Sequence, residues 1–152
     1  METLLEKTRA ISKLIQKAAG KPIDFEEMAK VLSEKINSNC YIVGRRGKIL
    51  AYWFMDSFHC DEMERIVVHS ERFPESYNQG LIRITSTKAN TTQVENSCIF
   101  NKNEKCGLSN KITTIVPILG GGERVGTLVL SKFNKEFTPG DLILAEYGAT
   151  VV

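Results

Sequence analysis

The stretch "TTIVPILGGGERVGTLVLSKF", residues 113–133, decides the fold. Two β-branched, apolar runs, residues 113–119 and 124–133, enclose Gly120 to Gly122, and Gly126 follows. Val, Ile and Thr suit a pleated surface, and glycine reaches the positive φ that a tight hairpin needs, so the stretch predicts strand, turn, strand. A phosphate loop is the competing reading. A Walker A loop needs G-x-x-x-x-G-K-[ST]; Gly121 and Gly126 have the glycine spacing, but Thr127 and Leu128 follow, without a lysine. A dinucleotide fingerprint needs G-x-G-x-x-G opening a helix, whereas Val125 stands where the third glycine belongs and a strand follows. Pro117 has no N–H to donate, so an edge or a bulge is expected beside it.

Outward from the hairpin, "TPGD" opens a last helix near residue 138: Thr138 caps, Pro139 takes N1 and Asp141 meets the positive helix end. Leu142, Leu144, Ala145, Tyr147, Ala149, Val151 and Val152 run to the last residue with no stop signal, so this helix is expected to continue into a further domain. At the other end, Leu4, Leu5, Ile11, Ile15 and Ala18 give a helical stripe over residues 3–19, closed by Gly20 to Pro22. Asp24 and Glu27 form a capping box for a second helix, whose buried face is Phe25, Met28, Ala29, Leu32 and Ile36. Cys40–Val43 and Ile49–Phe54 read as a hairpin turning through Gly44 to Gly47; its basic residues Arg45, Arg46 and Lys48 read as a solvated turn. Residues 60–72 predict a short helix with Met63, Ile66 and Val67 on one face, and Pro74 predicts N1 of another. Residues 85–112, rich in Thr, Asn and Lys, predict a long polar loop. The order implies an α+β domain with a mainly antiparallel sheet, helices from both chain ends on one face and the middle segment on the other.

Composition narrows the function. The 152 residues are 42% hydrophobic and 25% charged, which suits one folded domain and argues against intrinsic disorder. A net charge of +2 gives no case for nucleic-acid binding by this segment. No apolar run approaches the roughly 20 residues of a membrane span, and the charged start "METLLEKTRA" is no signal peptide, so a cytoplasmic location is expected. Cys40, Cys60, Cys98 and Cys106 form no C-x-x-C pair and read as thiols, with Cys40 a buried small hydrophobe. His59, Cys60, Cys98 and Cys106 are zinc-type ligands at irregular spacing, and no metal is expected. His59 and His69 sit in no triad motif, so no catalytic residue is assigned and the chain reads as a non-enzyme.

The blocks "LLEKTRAIS", "AAGKPIDFEEMAKVL", "GRRGKIL", "RFPESY", "TTIVPILGGGERVGTLVLS" and "DLILAEYGATVV" resemble the N-terminal effector-binding domain of the CodY family of global transcriptional regulators. The resemblance covers nearly the whole chain. It implies a GAF fold for residues 1–152, then a linking helix and a winged helix-turn-helix that binds operator DNA, both beyond this sequence. It also implies a homodimer that senses isoleucine, leucine and valine, with GTP as a further effector, and no cofactor. Carried over by alignment, Met63, Ile66, Phe73, Pro74 and Tyr77 would wall an apolar pocket, with Cys98 and Phe100 from the long loop. The family's carboxylate-binding arginine falls on Glu62, which would repel the ligand. Arg65, three residues on, or a backbone nest near Cys98, is the expected replacement. The other readings are a GAF-type dimerisation module with a lost ligand site, and a thiol or metal sensor through Cys60, Cys98 and Cys106.

Overall fold

The computed structural model describes residues 2–55, 70–92, 97–98, 101–105, 111–133 and 135–152. Helices α1 (Leu4–Ala18) and α2 (Phe25–Ile36) come first. Thr3 caps α1 by accepting from the Glu6 amide at 3.2 Å, and Ala19 (φ 51°) and Gly20 (φ 84°) turn the chain out of it. Asp24 accepts from the amides of Glu26 and Glu27, as a cap should; the Glu27 carboxylate bonds Lys17 Nζ at 2.9 Å in place of the expected return arm of the capping box. Of the α1 stripe only Ile11 is fully buried, and Leu4, Leu5 and Ile15 are exposed. On α2, Met28, Ala29, Leu32 and Ile36 are buried, while Phe25 is exposed at the first position of the helix.

Strands β1 (Asn39–Gly44) and β2 (Ile49–Trp53) form the first hairpin, with a bulge at Leu50. Strands β6 (Lys111–Gly120) and β7 (Glu123–Phe133) form the second, turning through Gly121 (φ 60°) and Gly122 (φ 81°). Two positive φ angles in a two-residue turn match the right-handed twist of the strands, which is why glycines stand there. Helix α3 (Glu75–Ile82), strand β3 (Lys88–Thr92), the short pair β4 (Ser97–Cys98) and β5 (Asn101–Lys105), and helix α4 (Pro139–Val151) complete the chain. The main sheet has five strands in the order β2-β1-β7-β6-β3, and every pairing is antiparallel.

Strand alternation sorts the side chains onto two faces. Cys40 and Ile42 of β1, Val116 and Ile118 of β6, and Leu128 and Leu130 of β7 pack against Ile11, Met28, Leu32, Leu144 and Ala145 from the helices of both chain ends. The opposite face presents Tyr41, Val43, Ile49, Ile115 and Val129, and these pack with Phe73 and Leu81 of the middle segment. This is the expected two-faced arrangement. Pro117 has both features its missing donor calls for: β3 pairs no further along β6 than Ile115, and a bulge follows between Ile118 and Leu119.

Three expectations need correction. Within the predicted 60–72 helix, residues 60–69 lie outside the described residues; Ser70 is helical, but the last two positions are not, since Glu71 has φ 55° and Arg72 bridges Lys48 as an antiparallel strand partner. Pro74 is the N-cap of α3 with ψ 140°, one position before the expected N1. The predicted loop 85–112 contains β3, β4 and β5. Strand β3 is held by polar anchoring: Asn90 (φ 54°) accepts from the Phe137 amide at 2.7 Å and donates to the Phe137 carbonyl at 3.3 Å, and Thr91 Oγ1 donates to the Thr113 carbonyl at 3.0 Å.

Candidate functional site

The second face carries the candidate site. Tyr41 stands at its centre on β1. Its ring meets Phe73 edge-on at 5.7 Å and Phe54 at 6.1 Å between centroids. Phe73 and Tyr77 pack at 5.2 Å, as do Tyr52 and Phe54. Phe73 is buried, whereas Tyr52, Phe54, Tyr77 and Ile84 keep part of their surface outside the cluster. A cleft of about 690 Å³ runs along the outer edge of β2, lined by Ile49, Tyr52, Phe54 and Glu71 among others. A second cleft, about 540 Å³, lies between β6 and α4; among the described residues, neither cleft is lined by one assigned from the sequence.

Polar groups edge this aromatic cluster. Asn39 Nδ2 donates to Tyr41 Oη at 3.4 Å, and Asn39 Oδ1 accepts from the Met55 amide at 2.8 Å. Asn78 is buried on α3; its Nδ2 donates to the Arg45 carbonyl at 3.0 Å, and its Oδ1 has no partner among the described residues. The segment before α3 is tied to the β1–β2 turn: the Phe73 amide donates to Gly47 O at 3.0 Å, Ile49 donates to Glu71 O at 2.9 Å, and Arg72 donates to Arg46 O at 2.7 Å. The other end of α3 is tied to β7 through Arg124. Its guanidinium donates to the carbonyls of Leu81 (3.0 Å), Ile84 and Gly126 (2.6 Å) and to Thr127 Oγ1 (2.8 Å). Burial pulls the Arg124 pKa down from its usual value.

Of the residues assigned from the sequence, Phe73 and Tyr77 come together on this face, and Pro74 sits exposed at the N-terminus of α3. Cys98 lies on β4, where its backbone pairs with Asn101. Glu62, Met63, Arg65, Ile66 and Phe100 lie outside the described residues, as do His59, Cys60 and Cys106. Cys40 is wholly buried under the helices, and burial pushes its thiol pKa up. Sequence reading missed Tyr41 and Arg124. Tyr41 could have been found from alternation, since it points opposite to Cys40 and Ile42. Nothing local marks Arg124, whose partners on α3 and just after it are 40 or more residues away.

An antiparallel sheet in this order, with terminal helices on one face and an aromatic-lined middle segment on the other, defines a GAF-type domain. The description "CodY GAF-like domain" matches residues 3–152, and the chain belongs to the CodY family. It is 45% identical over 152 residues to the global transcriptional regulator CodY of Clostridium acetobutylicum and 43% identical to that of Clostridium botulinum; it spans 58% of the length of each. The solved cofactor-binding GAF domain of the nutrient sensor CodY from Clostridium difficile is similar with a TM-score of 0.67 and 34% identity, over 99% of this chain and 96% of that one. Among the described residues no helix is long and apolar enough to cross a membrane, and no group of three or more His, Cys, Asp or Glu side chains could hold a metal ion.

Proposed function

We propose that this chain is the effector-sensing domain of a nutrient-responsive transcriptional regulator and binds branched-chain amino acids on the second face of its sheet. The observation that carries this reading is the aromatic cluster around Phe73 and Tyr77, where half-buried rings stand on a sheet face apart from the main core. Phe73, Pro74 and Tyr77 form the apolar wall, with Met63, Ile66, Cys98 and Phe100 completing it. Burying a leucine or isoleucine side chain there is worth about 2 kcal/mol. One methylene separates isoleucine, leucine and valine by only about 1–3 kcal/mol, so an apolar pocket accepts all three. Arg65, or backbone amides near Cys98, holds the carboxylate in place of the family arginine, whose position is Glu62 here.

In the whole regulator the ligand favours the state that binds operator DNA. It can do so only by its differential affinity for the two states. The homodimer, the DNA contact through a further domain after the linking helix, the repressor role and the response to GTP all belong to this reading of the longer protein. Titration calorimetry of the 152-residue chain with isoleucine, leucine and valine tests it: saturable heat is expected for each, and none for lysine. Absence of heat with all three at millimolar concentration overturns the reading. Arg65→Ala tests the anchor, since unchanged isoleucine affinity moves the role to the backbone near Cys98.

A further inference from the structure

Helix α3 is short, eight residues, and is held at both ends by hairpin turns from one end of the sheet. Gly44 of the first hairpin pairs with Gly126 of the second, so the two turns are neighbours. The first turn holds the N-terminal side: Gly47 O accepts from Phe73, and Arg45 O accepts from Asn78. The C-terminal side has no basic residue in its own last turn. The carbonyls there carry the negative end of the helix dipole and need donors. Arg124 supplies them from β7, reaching the carbonyls of Leu81 and Ile84 with Nη2 and Nη1 while Gly126 O and Thr127 Oγ1 fix the guanidinium to the strand.

We propose that Arg124 is a positioning residue for the effector site: its guanidinium locks the C-terminal end of α3 to β7 and so fixes the helix that carries Tyr77 against the aromatic cluster. The proposal rests on the effector reading above. The fork matters as well as the charge. A guanidinium is planar and offers donors in several directions at once, so it spans the last-turn carbonyl of Leu81, the Ile84 carbonyl just past the helix and two strand acceptors; a lysine ammonium is a point charge and does not. Without the fork, the Ile84 carbonyl loses its guanidinium donor and Leu81 O is left with only its local amide partners, which do not reach β7, so α3 is free to tilt away from the sheet. Arg124 touches no ligand in this scheme. It acts through the place of Tyr77.

Arg124→Met keeps the apolar stem and removes the fork; Arg124→Lys keeps the charge and is the milder change. Leu144→Ala, in the core on the other sheet face, is the control for lost stability alone. Isoleucine affinity by calorimetry is expected to fall about tenfold or more in Arg124→Met, with Arg124→Lys also weakened, and to stay within about twofold in Leu144→Ala. Hydrogen exchange should show α3 amides losing protection in the Arg124 variants while those of α2 keep theirs. Wild-type affinity and α3 protection in both Arg124 variants, or an equal affinity loss in Leu144→Ala, overturns the proposal alone. A wild-type chain that takes up none of the three amino acids overturns the effector reading and this proposal with it.

Discussion

Gly126 faces Gly44 across β1 and β7, and a Cβ added there would lie 2.6 Å from the Val43 carbonyl oxygen. That oxygen is backbone in a central strand, so it cannot give way as a side chain would. Gly126→Ala is therefore expected to destabilise the fold by about 1–3 kcal/mol through overpacking. Gly121→Ala meets nothing within 4 Å and has only its φ of 60° against it, a cost of about 1 kcal/mol. Urea midpoints compared at constant m-value check both. Cys40 makes a different kind of test. Its thiol is wholly buried and its pKa pushed up, so it should stay unalkylated in the native chain at pH 8 and react once the chain unfolds, as read by peptide mass mapping. The sequence made Gly121 and Gly122 legible as turn residues. It gave no means to tell that Gly126 serves close approach of two strands, because the contact comes from residue 43.

At the scale of elements, the start of α4 is fixed twice. Thr138 and Asp141 form a capping box, and Asp141 Oδ2 also accepts from Lys132 Nζ at 2.7 Å, with both side chains buried. Asp141→Asn leaves the Lys132 ammonium buried without its counter-charge, so a loss of about 3–5 kcal/mol is expected, read as a fall in Tm. Strand β3 depends on Asn90 in a similar way. Asn90→Gly tolerates the φ of 54° but loses both bonds to Phe137; a cost of about 1–3 kcal/mol in urea unfolding is expected. The Thr138 cap was readable because its partner lies three residues on. Strand β3 was not, because its apolar content is low and its anchors, Thr113, Thr114 and Phe137, lie more than 20 residues away. An edge strand of this kind shows little of the alternation that marks a buried one.

Across the whole molecule, the sheet separates stability from the proposed ligand site. The helix face holds the larger core, where Leu32 packs so closely on Gly148 that a Cβ there would come within 2.9 Å of its side chain. Leu32→Ala should lower stability by about 2–5 kcal/mol and leave isoleucine affinity within error, whereas Tyr77→Ala should lower affinity sharply at a smaller cost in stability; calorimetry beside denaturant unfolding separates the two. The sequence by itself determined the local structures: the capped helices, the glycine turns, and the alternation that gives β1, β6 and β7 two apolar faces. The grouping of Phe73 with Tyr77 came from the likeness to the CodY family and not from their spacing. Periodicity and capping are set by neighbours in the chain, so one sequence suffices to read them. Only the tertiary structure decided that Tyr41 stands between Phe54 and Phe73, that a polar segment completes the sheet as β3, and that Arg124 of the glycine-rich hairpin closes the far end of α3. Those contacts join residues tens of positions apart, and the donors, acceptors and rings that make them become neighbours only when the strands pair.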